Sequence, residues 1–304
     1  MVSNASRRLL GIDWGSSNRR AYLVDPAGAS LATRADDQGM LAVRPDFAGS
    51  FAALVAHMGI DADVPAVASG MVGSAQGWRE VPYLDIGVPL EALPDHVVRV
   101  DDPRAGRPCF IVPGYVQRGE HVDVMRGEET QLLGAVALGR RDGWFVLPGT
   151  HSKWVHLADG VIRRIATFMT GELFAMVSAH GTLAPLMAGA EEDDAAFVAG
   201  LDAARRGAPL SNALFGVRAR IVSGAMPAAQ ARSFVSGLLV GTEFVAAVGL
   251  AGGTVPPTCI GSSVLRARYA RAAVHFGTTL AGLDPDRVYC AALACFLDRI
   301  PHER

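Results

Sequence analysis

Apolar positions near the start of the chain come in short runs cut by turn residues. Leu9–Asp13 is an apolar run, and Arg20–Asp25 (RAYLVD) and Ser30–Arg34 follow it across the turns GSSN and PAGA, which predicts a meander of three strands. From Asp46 to Met58, the residues Phe47, Phe51, Leu54, Val55 and Met58 recur at the spacing of one helical face, and Gly59 closes the segment. Val64–Ala68 is a further buried-strand run ending at Ser69-Gly70. The predicted order is βββαβ, which differs from the βαβ order of a dinucleotide-binding unit.

A similar layout starts again at Gly143. Trp144–Pro148 is apolar and runs into the turn Gly149-Thr150-His151-Ser152-Lys153. Trp154–Leu157, the turn Ala158-Asp159-Gly160 and Val161–Phe168 complete a second meander, and a helix is expected from about Glu172 into the 180s. The repetition lies in the layout; no residue-by-residue repeat accompanies it. Between the two halves, Val124-Met125-Arg126-Gly127-Glu128-Glu129-Thr130-Gln131 leads into a helical stretch at Leu132–Leu138. Glu191–Asp194 reads as a solvated acidic loop or helix start, Val264–Ala273 as a helix, and Asp284-Pro285 as the cap and first position of a helix through about Arg299. Phe234–Gly252 is the most apolar stretch, but Glu243 and several glycines interrupt it, so a buried helix is expected there in preference to a membrane span.

Composition narrows the function classes. The chain has 304 residues, 28 Lys and Arg against 30 Asp and Glu, and 50% apolar residues. Such a chain buries a large core, and by length it makes about two domains, here 1–140 and 141–304. The near-zero net charge offers no basic footprint for nucleic acid or an anionic membrane. The apolar run after the first arginines is too short for a signal sequence, so a cytoplasmic protein is expected. Cys109, Cys259, Cys290 and Cys295 show no metal-ligand spacing and read as reduced thiols. Half the chain being apolar is compatible with a homodimer without selecting one.

The candidate chemistry gathers at the repeated turns. Gly15, Ser16, Ser17 and Asn18 follow a buried strand, as do Gly149, Thr150, His151, Ser152 and Lys153, and small residues of this kind let backbone N–H groups approach a phosphate. Asp13, at the end of its strand, is placed to hold Mg²⁺ through oxygen; an ordinary hairpin turn would read the same way. Glu128 and Glu129 open a helix, where carboxylates are favoured by the helix dipole whatever their function, or else one of them takes a proton from a substrate hydroxyl. Arg126 is suited to a bidentate grip on a carboxylate, or is a surface residue. Gly171 and Glu172 line the same site or cap the helix that follows them. Gly237, Gly241, Gly261 and Ser262 offer Gly-rich surface for a purine, or simply let helices pack closely.

With both hairpins in view, GIDWGSSN, LPGTHSK and IGSS resemble the two phosphate motifs and the adenosine motif of the actin-like ATPase superfamily, which includes the sugar kinases. More narrowly, IDWGSSNRRAYL, MRGEETQLLGA, LPGTHSKWVHL, TFMTGELFA and SGLLVGTEF are similar to the 2-dehydro-3-deoxygalactonokinase family, from Leu9 to about Leu283. The resemblance implies an α/β fold of two ribonuclease H-like lobes with an interlobe cleft, and ATP-dependent phosphorylation of 2-dehydro-3-deoxy-D-galactonate on its 6-hydroxyl. It implies Mg²⁺ at Asp13, γ-phosphate contacts from Gly15–Asn18, phosphate contacts from Gly149, Thr150 and Lys153, and adenosine at Gly261 and Ser262. It leaves the base open between Glu128 and Glu129, with Asp13 as a third candidate. The cation for the substrate carboxylate stays open among Arg19, Arg20, Arg126 and Lys153. The rival expectations are a related kinase with another sugar or sugar-acid acceptor, or a nucleotide-driven switch protein.

Overall fold

The structure is a computed structural model and describes residues 7–189 and 192–300. Residues 1–6, at the amino terminus expected to carry no signal sequence, and Glu191 of the acidic tract lie outside the described residues. The chain divides into two compact units.

The first unit holds residues up to 143, 156–165 and those from 283 onward. It opens with the predicted meander, β1 (Leu9–Trp14), β2 (Arg19–Val24) and β3 (Ser30–Asp36), paired antiparallel in succession. The short helix α1 (Met40–Val43) and the helix α2 (Phe47–Met58) follow, α2 capped by Asp46, whose carboxylate accepts from the Gly49 N–H. Strand β4 (Ala66–Ser69) then lies parallel to β1. Strands β5 (Leu84–Asp85), β6 (Val98–Arg99), β7 (Cys109–Ile111), β8 (Tyr115–Gln117) and β9 (Asp123–Met125) complete two sheets, β3-β2-β1-β4-β7-β6 and β5-β8-β9. Helix α3 (Glu128–Ala137) starts directly after β9. Leu10, Ile12 and Trp14 of β1 point into a core shared with Phe47, Phe51 and Leu54 of α2.

The second unit holds 144–155 and 166–282. Its sheet is built from β10 (Gly143–Leu147), β11 (Ser152–Ala158), β12 (Val161–Phe168), β13 (Thr258–Ile260) and β14 (Ala281–Leu283), in the order β12-β11-β10-β13-β14, with β13 parallel to β10. Its helices are α4 (Thr170–Ala179), α5 (Ala184–Met187), α6 (Asp194–Arg205), α7 (Leu210–Val222), α8 (Ala231–Ala251) and α9 (Ser263–His275). Each sheet is therefore led by a three-stranded meander joined to a parallel strand, the arrangement expected of ribonuclease H-like lobes.

Helix α8 has the length and apolarity of a membrane span, yet its buried residues include Phe234, Val235, Leu238, Leu239, Phe244 and Glu243. It crosses α6 so closely that a Cβ on Gly237 would fall 2.0 Å from the Phe197 carbonyl oxygen, and one on Gly200 2.1 Å from that of Phe234. Of the two expectations for the acidic tract, the helix start holds. Asp193 caps α6 by accepting from the Ala196 N–H, Glu192 pairs with Arg268, and Asp194 pairs with Arg271.

Helix α10 (Pro285–Arg299) starts where Asp284 caps it, accepting from the Arg287 N–H at 3.0 Å. It belongs to the first unit, so that unit is discontinuous in sequence where a single boundary between 140 and 141 was expected. The reason is packing. Val288, Leu293, Phe296 and Leu297 are fully buried, Leu293 fills the space left by Gly11, and the Tyr289 hydroxyl meets Ser69 Oγ at 2.8 Å. The hairpin at 156–165 joins the same unit through Arg141, which bonds both Glu91 and Asp159, and through Gln117, which accepts from the Ile165 N–H at 2.8 Å.

The α3–α10 crossing depends on one missing methyl group, because a Cβ on Gly134 would stand 1.8 Å from the Val288 carbonyl oxygen. Gly134→Ala is expected to lower stability by about 1–3 kcal/mol through overpacking, read as a drop in the urea midpoint. Helix propensity alone has the opposite sign, favouring Ala by up to about 1 kcal/mol. A variant as stable as the wild type would show that the two helices separate at no cost.

Candidate active site

In the first unit, the ends of β1, β4 and β9 converge. Asp13 stands opposite Ser69 in the parallel register, a Cβ on Gly70 would fall 2.8 Å from the Trp14 carbonyl oxygen, and one on Gly127 would fall 3.3 Å from Gly70 Cα. Gly70 and Gly127 have φ of 94° and 112°, a left-handed backbone that favours glycine, so these approaches are written into the residue types. The end of β1 is thereby brought, through Gly70, close to Gly127 at the start of α3.

Electrostatics separates the three acidic candidates. Burial and the neighbouring Glu128 carboxylate push the Asp13 pKa up to about 6, against the pull of Arg20. Glu128 is partly exposed and accepts from the Arg126 backbone N–H at 3.2 Å. Glu129 is fully buried, and both its oxygens accept from the Gly127 N–H, at 2.9 and 2.7 Å. Burial, then the Glu128 charge, push its pKa up to about 8. Glu129 is thus enclosed, while Glu128 is partly exposed and its charge is felt at Asp13.

The first hairpin is tightly folded. The Gly15 N–H is taken by the Asn18 carbonyl at 3.0 Å, and the Gly15 and Ser16 carbonyls receive the Met40 and Leu41 N–H groups. Ser17 and Asn18 stand exposed at its tip. The nearby arginines differ in what they are tied to. Arg19 is buried and spends its guanidinium on both Asp36 oxygens and on Ser50, which makes it structural. Arg20 is half-exposed and pairs with Asp286 of α10 at 3.1 Å. Arg126 donates to the Val81 carbonyl at 2.7 Å and lies over the Tyr83 ring.

The second unit carries the other half of the predicted residues. Gly149, Thr170, Gly171, Phe174 and Tyr269 border a small cavity, and a second cavity of about 310 Å³ shares Phe174, Ser236 and Arg268 with it. Gly171 is required there because a Cβ would meet the Gly149 carbonyl oxygen at 2.3 Å, and the Glu172 N–H closes on the Thr150 carbonyl at 2.9 Å. His151 and Glu172 meet at 2.5 Å. Gly261 packs on Pro148, and Ser262 caps α9, which presents Val264, Arg268 and Arg271 to the larger cavity.

Three predicted residues sit elsewhere. Gly237 and Gly241 face α6, where they permit the helix crossing; from that stretch it is Ser236, Leu239 and Val240 that border the small cavity. Ser152 is fully buried and turned inward to Glu243 at 2.8 Å. Glu243 also accepts from the Trp154 indole at 2.9 Å and the Tyr269 hydroxyl at 2.7 Å. Burial raises its pKa while these donors oppose that. This buried carboxylate ties the base of the second hairpin to α9, and its only sign in the sequence is a Glu inside an apolar helix. Lys153 is buried.

The family model for 2-keto-3-deoxy-galactonokinase matches residues 13–296. A Rhizobium meliloti (strain 1021) protein named as a 2-dehydro-3-deoxygalactonokinase is 38% identical over 292 residues, covering 93% of this chain and 94% of that one. The 2-dehydro-3-deoxygalactonokinase of Escherichia coli (strain K12) is 32% identical over 287 residues, covering 94% and 96%. A crystal structure of a Sinorhizobium meliloti protein named for the same activity matches with a TM-score of 0.88 and 35% identity, over 95% of both chains.

Proposed function

This chain belongs to the 2-keto-3-deoxy-galactonokinase family, and from that premise we propose that it transfers the γ-phosphoryl group of ATP to the 6-hydroxyl of 2-dehydro-3-deoxy-D-galactonate. The products are 2-dehydro-3-deoxy-6-phosphogalactonate and ADP, and the setting is cytoplasmic galactonate catabolism. The observation that carries the reading is the match to the family across nearly the whole chain, with Asp13 within electrostatic reach of Glu128 at the head of α3.

The donor set suits Mg²⁺. Burial, then the Glu128 charge, raise the Asp13 pKa, so the site brings negative oxygen groups within electrostatic reach of each other, which a hard divalent cation relieves. Among the described residues no three His, Cys, Asp or Glu side chains are grouped to cage a metal. That fits an ion held by one or two carboxylates, waters and nucleotide phosphates. Asp13 would hold it, and when bound it neutralises phosphate charge.

The chain's own residues divide the remaining work. The second unit takes ATP, with Gly149, Thr150 and Gly171 along the phosphates and the Gly261–Val264 start of α9 toward the adenosine. Gly15–Asn18 contact the γ-phosphoryl group. Glu128 accepts the proton of the 6-hydroxyl as its oxygen bonds to phosphorus and the bond to the ADP oxygen breaks. Phosphoryl transfer needs little covalent help, so positioning and charge neutralisation supply most of the rate. Glu129 supports the Gly127 turn from behind. The test is coupled ADP release with ATP, Mg²⁺ and 2-dehydro-3-deoxy-D-galactonate, set beside the gluconate epimer and plain hexoses. Turnover confined to the keto-deoxy acids is expected. Turnover with hexoses alone, or with no acceptor, would overturn the reading.

A further inference from the structure

We propose that Arg126 is the residue that reads the substrate carboxylate, and that Tyr83 and the Val81 carbonyl hold its guanidinium in place to do so. This rests on the sugar-acid reading above. Arg126 follows β9 directly and lies two residues ahead of Glu128, whose carboxylate accepts from its backbone N–H. Its Nη2 donates to the Val81 carbonyl at 2.7 Å, and its Cζ sits 4.2 Å from the centre of the Tyr83 ring. Tyr83 in turn rests on Gly114, where a Cβ would fall 2.8 Å from the ring.

What remains of the guanidinium is unspent. Nε and Nη1 are buried and have no hydrogen-bond partner among the described residues. Buried donors without acceptors are costly, most of all on a cation, and call for an explanation wherever a native fold keeps them. Arg19, by contrast, has Asp36 and Ser50, and Arg20 has Asp286. With one Nη2 hydrogen given to Val81, a carboxylate can accept from Nε or Nη1 together with the second Nη2 hydrogen, forming two parallel charge-assisted bonds. Residue 73 is glycine to make room for the guanidinium itself, since a Cβ there would stand 2.8 Å from Nη1. An acceptor with a neutral head group cannot complete this arrangement.

The test compares the keto-deoxy acid with its C1 carboxamide, by turnover and by calorimetric binding without ATP. Wild type is expected to prefer the acid by about 100-fold in kcat/KM. Arg126→Gln should lose about that factor on the acid and less than about threefold on the amide, and Arg126→Lys, which keeps the charge but not the fork, should fall between. Tyr83 is 39% exposed, so its replacement spares the core. Tyr83→Leu is expected to raise KM for the acid about tenfold with kcat unchanged, and Tyr83→Phe to restore it. Equal loss on acid and amide in Arg126→Gln, a fall in kcat in Tyr83→Leu, or a wild type binding acid and amide alike would each overturn the assignment. A wild type that binds the acid preferentially but phosphorylates neither would sink the kinase reading and leave this one standing.

Discussion

Glu128→Gln is expected to lower kcat on the sugar-acid acceptor by about 10²–10⁴, with KM for acid and ATP nearly unchanged. The amide keeps the shape of the side chain and its hydrogen bond from the Arg126 N–H but has no affinity for the proton of the 6-hydroxyl. The prediction is specific to position 128. Glu129, next along the helix, is fully buried with both oxygens on the Gly127 N–H, so it cannot reach an acceptor. Glu129→Gln should therefore cost less than about tenfold in kcat, below the usual contribution of a general base. Steady-state kinetics of the two variants side by side decides the matter. A larger loss at 129 than at 128 would reverse the assignment, and a small loss at both would point to Asp13 or to no base at all.

Stability against pH is where Glu129→Gln should show its effect. Burial, then Glu128, raise the Glu129 pKa from 4.5 to about 8. A carboxyl whose pKa is higher in the folded state contributes stability that is fully present below the unfolded value of 4.5 and is lost as pH rises through the folded value near 8. Over that window wild type should lose about 4–5 kcal/mol relative to the variant, at up to about 1.4 kcal/mol per pH unit. Glutamine mimics the protonated carboxyl, keeps an acceptor for the Gly127 N–H, and carries no such dependence. Urea unfolding of both proteins from pH 5 to 9 measures the difference directly. A difference that stays flat across that range would mean that Glu129 titrates like an ordinary surface carboxylate.

Much of the framework was legible in the chain. The short turn-bounded runs at Leu9–Asp13, Arg20–Asp25 and Ser30–Arg34 and the cap residues Asp46 and Asp284 act through neighbours a few positions away, so their signals are local. The short strands β5 to β9 and helix α7 are not among the predicted elements, and of α6 only the helix start at the acidic tract is. Two- and three-residue strands such as Leu84–Asp85 carry no periodicity to detect and exist because a partner strand supplies their hydrogen bonds. The Gly-rich stretch of α8 shows the limit most clearly. Gly237 and Gly241 are glycine for the sake of α6, while the purine-like reading of the same residues rested on composition alone. Ser152 was legible as a small polar residue in a phosphate-type turn; that it turns inward depends on Glu243, 91 positions away.

The sequence by itself determined that two meander-led sheets would form, that phosphate-type turns would follow the first strand of each, and which family the motifs resemble. All of these depend on short-range preference and residue type. Only the tertiary structure buried Glu129 while leaving Glu128 partly exposed, brought the Glu128 charge within reach of Asp13, separated the paired Arg19 and Arg20 from Arg126, and returned α10 to the first unit. Burial and charge proximity are properties of residues far apart in the chain. Asp13, Gly70 and Glu128 acquire their chemistry only where strand ends meet, and a one-dimensional pattern does not record that meeting.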